Sequence, residues 1–146
     1  RIRRQDFKSQ LLQGIIERKE TFDLLVCNPP FYKTKSEALA ANTLKNKNLH
    51  GKEEANHNFG GSANELWYKG GEEAFLKKLA LESAEYGQQI QWFTCLVSKK
   101  DHLRTFKRFI RKGNPTEIKV VEMEQGNKVS RFVAWTFQKE YDESGE

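Results

Sequence analysis

Long apolar runs are missing from this 146-residue chain, and no stretch reaches the roughly 18 apolar residues that a membrane-crossing helix needs. No signal-peptide pattern is visible. Cysteine is scarce: Cys27 and Cys95 each lie inside an apolar run. That argues against a disulfide scaffold and for buried free thiols in a reducing, cytoplasmic setting. The three histidines, His50, His57 and His102, show no metal-ligand spacing with those cysteines, so no metal site is expected. Neither a Ser-His-Asp pattern nor a P-loop is present. Proline occurs three times, and two of the three stand side by side.

Hydrophobic residues make up 37% and charged residues 31%, polar for a globular domain but short of a disordered composition. Aromatics at 12% suffice for a core, and the length suits one domain. A net charge of +5 permits a polyanionic partner without proving one.

Arg1 to Gln5 is too short to assign beyond the tail of a strand. Asp6 to Arg18 carries Phe7, Leu11, Leu12, Ile15 and Ile16 at a spacing that predicts a helix, with Asp6 as its cap. Asp23 to Cys27 is a clear strand with an unbroken apolar run, as expected of a strand covered on both faces. From Tyr32 to Lys69 the pattern dissolves into Lys33, Lys35, Lys45, Lys47, Lys52, many Asn and the pair Gly60-Gly61; this reads as a long substrate-side loop with a short helix at Ser36 to Ala41. Glu72 to Tyr86 is a helix with Phe75, Leu76, Leu79, Ala80 and Tyr86 as its buried stripe, stopped by Gly87. Ile90 to Val97 is a strand, and Asp101 to Lys112 a helix ended by Gly113-Asn114-Pro115. Glu117 to Met123 and Arg131 to Gln138 form an antiparallel pair around Gln125-Gly126-Asn127. Lys139 to Glu146 is a charged, frayed tail. The order predicts a mostly parallel α/β sheet closed by an antiparallel hairpin, in one domain without internal repeats.

The strand Asp23 to Cys27 runs directly into Asn28-Pro29-Pro30-Phe31. That places an amide, two rigid carbonyls and a ring at a strand's carboxyl end, where open α/β sheets bind ligands. These groups suit methyl transfer to an amino group on a flat π system. An exocyclic amine whose lone pair is delocalised into its ring attacks poorly unless its N–H bonds are polarised. The side-chain oxygen of Asn28 and the carbonyl of Pro29 are two acceptors for that purpose, and consecutive prolines hold the carbonyls in place. Phe31 can stack on the base. A base inside a duplex must be unpaired or flipped to reach them. Taken alone, Asn-Pro-Pro also reads as a strand-ending turn.

Residues Phe22 to Phe31 resemble the catalytic motif of class I S-adenosylmethionine-dependent amino-methyltransferases. Further blocks follow: Asn58-Phe59-Gly60-Gly61, Glu65-Leu66-Trp67, Gly70-Gly71-Glu72 with Phe75, Trp92-Phe93-Thr94, Val97-Ser98-Lys99, Gln125-Gly126, and Ser130-Arg131-Phe132 with Ala134-Trp135-Thr136-Phe137. Together they resemble the bacterial ribosomal large subunit methyltransferase F family over nearly the whole chain. The resemblance implies a Rossmann-like class I sheet, S-adenosyl-L-methionine as cofactor, and N6 of one adenine in 23S rRNA as the methylated atom. It implies 23S rRNA or a large-subunit assembly intermediate as partner. Asn28, Pro29, Pro30 and Phe31 take the catalytic positions. Asn28 also borders the cofactor's methionine end, and Asp6 and Phe7 are assigned to its adenine pocket by position alone.

The family's glycine-rich cofactor loop and its ribose-binding acidic residue have no counterpart here. The chain therefore resembles the carboxyl-terminal part of the catalytic domain, and the native protein is expected to be longer at its amino end. By itself the chain is expected to be inactive, with the edge of Asp23 to Cys27 exposed.

Trp67 is a candidate for substrate contact. Arg104, Lys107, Arg108 and Arg111 fall on one stripe of their helix, extended by Lys99 and Lys100, which reads either as an RNA-facing patch or as a solvated face. Arg131 joins Lys99, Arg104, Lys107 and Arg108 as a candidate substrate contact, whereas Trp135 and Phe137 read as core. Methylation of DNA adenine or of protein glutamine, and a non-catalytic basic RNA-binding module, remain the alternatives.

Overall fold

The computed structural model describes residues 1–50 and 65–139. The block Asn58-Phe59-Gly60-Gly61, Lys52 and the tail beyond Lys139 lie outside the described residues, as do the side chains of Lys45 and Lys47. In chain order the elements are β1 (Phe22–Cys27), α1 (Lys35–His50), α2 (Gly71–Glu85), β2 (Ile90–Val97), α3 (Lys100–Arg111), β3 (Glu117–Gln125) and β4 (Lys128–Thr136). They fall into two compact bodies, Arg1–Asn28 with Lys77–Glu146, and Pro29–Leu76.

The first body is built on a four-stranded sheet of order β1-β2-β4-β3. β1 and β2 are parallel, with Leu25 opposite Phe93 and Cys27 opposite Cys95. β4 is antiparallel to both β2 and β3. Three strands therefore share one direction, and the last strand enters between two earlier ones. The result is the α/β sheet closed by an antiparallel hairpin that the sequence predicts, but it is mixed rather than mostly parallel: β4 inserts between β2 and β3, so two of its three pairings are antiparallel.

Strand alternation decides what each face of the sheet meets. Phe93, Cys95, Val97, Val133 and Trp135 are buried on one face. Trp135 stacks on Phe93 and takes the edge of Phe106 from α3 at 5.4 Å. Its indole N–H donates to the Ser83 hydroxyl of α2 at 2.9 Å, so the largest core side chain has its polar atom satisfied. Gly87 after α2 does not act through a left-handed backbone: a Cβ there would lie 2.7 Å from Cβ of Phe137, so close approach requires the glycine.

The opposite face is different. On β1, Leu24 is 54% and Val26 76% exposed. The expectation of a strand covered on both faces fails, because β1 is an edge strand of the described sheet and leaves Leu24 and Val26 exposed on one face. Its apolar run marks a strand whose second face lacks a covering layer among the described residues.

The helix expected at Asp6 to Arg18 is also absent; the segment forms turns. Gly14 sits at φ 84° within it, left-handed and out of helical geometry. The N–H groups of Leu11, Leu12 and Gln13 do not reach back along a helix but donate to the carboxylate of Glu82 on α2, at 2.9 to 3.2 Å. No strand forms over Arg1 to Gln5. Arg3 instead pairs with Glu20, and Gln89 Nε2 donates to the carbonyls of Glu17 and Glu20.

In the second body, α1 is longer than the short helix expected and occupies much of the stretch read as loop. Thr34 caps it: the Glu37 N–H donates to Thr34 Oγ1, and the Glu37 carboxylate accepts the Lys33 N–H. Tyr32 bridges Trp67, with hydrogen bonds from Tyr32 N to Leu66 O and from Tyr68 N to Tyr32 O. Gly71, at φ 74°, opens α2, and a Cβ on it would lie 2.9 Å from the Lys33 side chain.

Candidate nucleic-acid methylation site

β1 ends at Cys27 and regular pairing stops there, because Pro29 and Pro30 have no backbone N–H to offer a sheet. Asn28 is exposed at that carboxyl end, and Pro29 and Pro30 are half-buried. Phe31 is 47% exposed and meets the edge of Tyr32 at 5.3 Å. The boundary between the two compact bodies falls inside the motif, between Asn28 and Pro29. Tyr32, strapped to residues 66–68, fixes the chain just beyond Phe31. Trp67 takes part in that strap and is half-buried.

The strand that carries Asn28 is tied to its neighbour. Thr94 Oγ1 donates to the Leu25 carbonyl at 2.8 Å, tying β2 to β1 through a side chain as well as through the ladder. A hydrogen bond from the buried Cys95 thiol holds the pKa of the neighbouring Cys27 below its ordinary value, against the upward push of burial.

The parallel register of β1 and β2 puts the carboxyl ends of both strands, and so Asn28 and Lys99, at one end of the sheet. Arg131 lies at that end too, opposite Val97. It is 8% exposed, and its Nε has no hydrogen-bond partner among the described residues. α3 leaves this end and runs back toward the amino ends of β2 and β3. Arg104 and Arg108 are exposed along it and Lys107 is half-buried, with Phe106 and Ile110 in the core. The expected basic stripe is therefore present, but it leads away from Asn28.

Of the residues assigned to a cofactor, Asn28 has the position to border one. Asp6 and Phe7 are exposed, and their segment is fastened to Glu82 and Gln89, at the amino end of the sheet. No hydrogen bond, ion pair or ring contact joins them to Asn28 among the described residues. The residues present thus fit one wall of a cofactor site.

Sequence reasoning missed three features. Thr34-Lys35-Ser36-Glu37 is a capping-box pattern that announces α1 one residue after its cap. The Glu82 clamp joins residues about 70 positions apart and has no local signal. The gathering of Lys77 and Lys112 at Phe109 depends on two helices lying side by side. Among the described residues, no group of three or more His, Cys, Asp or Glu is gathered as metal ligands would be, and no helix is long and apolar enough to cross a membrane.

Residues 1–139 match the model of a family described as RNA methyltransferase. The curated protein Ribosomal RNA large subunit methyltransferase F of Colwellia psychrerythraea is 45% identical over 144 residues, covering 92% of this chain and 47% of that protein. Its namesake in Desulfotalea psychrophila is 44% identical, with 95% and 46% covered. The chain thus spans about half the length of the curated relatives it matches. Among solved structures, the hMettl16 catalytic domain in complex with MAT2A 3'UTR hairpin 1 gives a TM-score of 0.64 at 27% identity, covering 92% of this chain and 44% of that one. The N-terminal domain of human METTL16 in complex with SAH shares the fold at a TM-score of 0.56 and 22% identity, with 88% and 38% covered.

Proposed function

Because the chain belongs to this RNA methyltransferase family, we propose that it carries the substrate-gripping part of an S-adenosyl-L-methionine-dependent enzyme that methylates N6 of an adenine in 23S rRNA in the cytoplasm. The observation that carries this reading is Asn28, exposed at the carboxyl end of β1 and followed directly by two prolines and a half-exposed phenylalanine. In this reading the Asn28 side-chain oxygen and the Pro29 carbonyl accept the two amine hydrogens. Polarising both N–H bonds pushes the lone pair out of the ring and toward the incoming methyl group. Phe31 stacks on the unpaired base, and Pro30 keeps the ring and the carbonyl in register. Asn28 borders the methionine end of the cofactor, which supplies the methyl group when bound. Aligning donor and acceptor is a positioning task, which suits a motif with two fixed φ angles.

Trp67, bridged to Tyr32, is a substrate contact in this reading, and Lys99, Arg104, Lys107 and Arg108 offer cations to the RNA backbone. Arg131 sits at the end of the sheet that holds Asn28; being buried, it would meet RNA only where substrate reaches into the body. Asp6 and Phe7 keep their assignment to the cofactor's adenine pocket in this reading, by position alone.

The test uses the natural full-length protein. With labelled cofactor and 23S rRNA, Asn28→Ala should lose roughly 100-fold or more in rate, the scale of removing one preorganised hydrogen-bonding group. Its fold should be unchanged, because Asn28 is exposed. Wild-type turnover by the variant would sink the proposal. Label appearing in DNA or in protein glutamine would redirect it, and RNA binding without any cofactor binding would leave a non-catalytic module.

A further inference from the structure

The basic stripe of α3 ends in a cluster that helix patterning alone does not reveal. Lys77 Nζ of α2 lies 5.0 Å from the centre of the Phe109 ring, the Arg108 guanidinium 5.4 Å and Lys112 Nζ 4.8 Å. A ring has two negative faces, so three cations must share a face or drift toward its positive edge. Among the described residues no carboxylate forms a salt bridge with Lys77, Arg104, Arg108, Arg111 or Lys112, whereas Arg3 pairs with Glu17 and Glu20, and Lys119 with Glu117. The dipole of α3 favours cations in its last turn and accounts for Arg108 and Arg111. It does not account for Lys77, which belongs to another helix.

Its location matters as much as its charge. α3 has 12 residues, about 18 Å of helix. It starts beside Lys99, at the end of the sheet that holds Asn28, and finishes at the opposite end. The cluster is too far from Asn28 to touch the reacting base.

We propose that Lys77, Arg108 and Lys112 around Phe109 form a docking site for the phosphodiester backbone of the substrate RNA, remote from the methylated base. The proposal rests on the RNA reading given above. Phosphates would relieve the mutual repulsion of the three cations and release counterions, and the exposed part of the ring would meet a sugar or a base. The exposed Arg104 lies between the two ends and would track the strand.

The natural full-length protein again provides the test. Lys77→Gln/Lys112→Gln is compared with the wild type and with Lys77→Arg/Lys112→Arg. Two substrates are used: a long 23S rRNA fragment, and a trinucleotide centred on the adenine, which is too short to reach the cluster at about 3.4 Å per nucleotide. The Gln variant should bind the long RNA about tenfold more weakly at physiological salt. Its log K against log salt slope should be shallower by about 1.5, with kcat on the trinucleotide unchanged. The Arg variant should bind as the wild type does. Unchanged long-RNA affinity and slope, or an equal loss on the trinucleotide, would overturn the proposal. So would capture of an acidic protein by the patch with no effect on RNA. A wild type that binds RNA with the steeper slope yet methylates no RNA would refute the methylation reading and leave the dock standing. Methylation unaffected by the Gln variant on both substrates would do the reverse.

Discussion

Glu82 accepts the backbone N–H groups of Leu11, Leu12 and Gln13, and removing its carboxylate leaves those donors without an acceptor beside the buried Leu12. At about 1–3 kcal/mol for each buried unsatisfied donor, partly relieved by water, Glu82→Ala should cost roughly 3 kcal/mol in urea denaturation. Glu82→Gln keeps one acceptor oxygen and should cost less. Glu20 is a second single-residue anchor. Its hydrogen bond and charge pairing with Arg3 hold its pKa at about 2, below the ordinary 4.5. A depressed folded value stabilises above the unfolded pKa and is lost as pH falls through the folded one. Protection of the amides near Ile15 and Phe22 from hydrogen exchange should therefore decline between pH 4.5 and about 2 in the wild type. In Glu20→Gln that protection should be low throughout, and a persistent acid transition in this variant would refute the assignment. The strand end at Asn28 to Phe31 could be read from four letters because two adjacent prolines stop a sheet ladder locally. Glu82 could not, because a carboxylate some 70 residues away looks like any other helix-surface acid.

Elements show the same division between local and distant causes. β2, α2 and α3 follow from period-2 and helical patterns whose apolar residues meet in one core, at Phe93, Trp135 and Phe106. The segment Asp6 to Arg18 has the helical spacing too, yet Gly14 and the outside acceptor on Glu82 prevail over it. For α1 the cap was legible in Thr34 and Glu37, whereas the apolar stripe that fixes helix length is weak in a segment so rich in Lys and Asn. Thr34→Ala should weaken α1 by about 1 kcal/mol, seen as lost helicity on mild heating. Gly87→Ala tests packing at the end of α2. Its methyl group would collide with Phe137, costing about 1–3 kcal/mol, and Gly87→Ala with Phe137→Leu should recover part of the loss.

In the body built on the sheet, α3 and the end of α2 pack against one face, and β1 leaves part of the other face open. Along β1, Leu24 and Val26 are exposed apolar residues on a strand whose outer edge is unpaired among the described residues. Free apolar edges recruit other strands, so the chain produced alone should self-associate. Val26→Lys, at a site 76% exposed, should suppress that association in light scattering without unfolding the monomer. An unchanged particle size would show that β1 is not the sticky edge. The sequence had marked Asp23 to Cys27 as a strand covered twice over, and half of that covering is not among the described residues. The position of β4 bears on a different matter, the order in which the protein can be made. β3 is synthesised before β4 but pairs with nothing else in the sheet. It must therefore wait, unpaired, until Lys128–Thr136 has been translated and inserted beside β2. During that interval the nascent chain carries a finished strand with no partner, the kind of exposed edge that chaperones exist to shield.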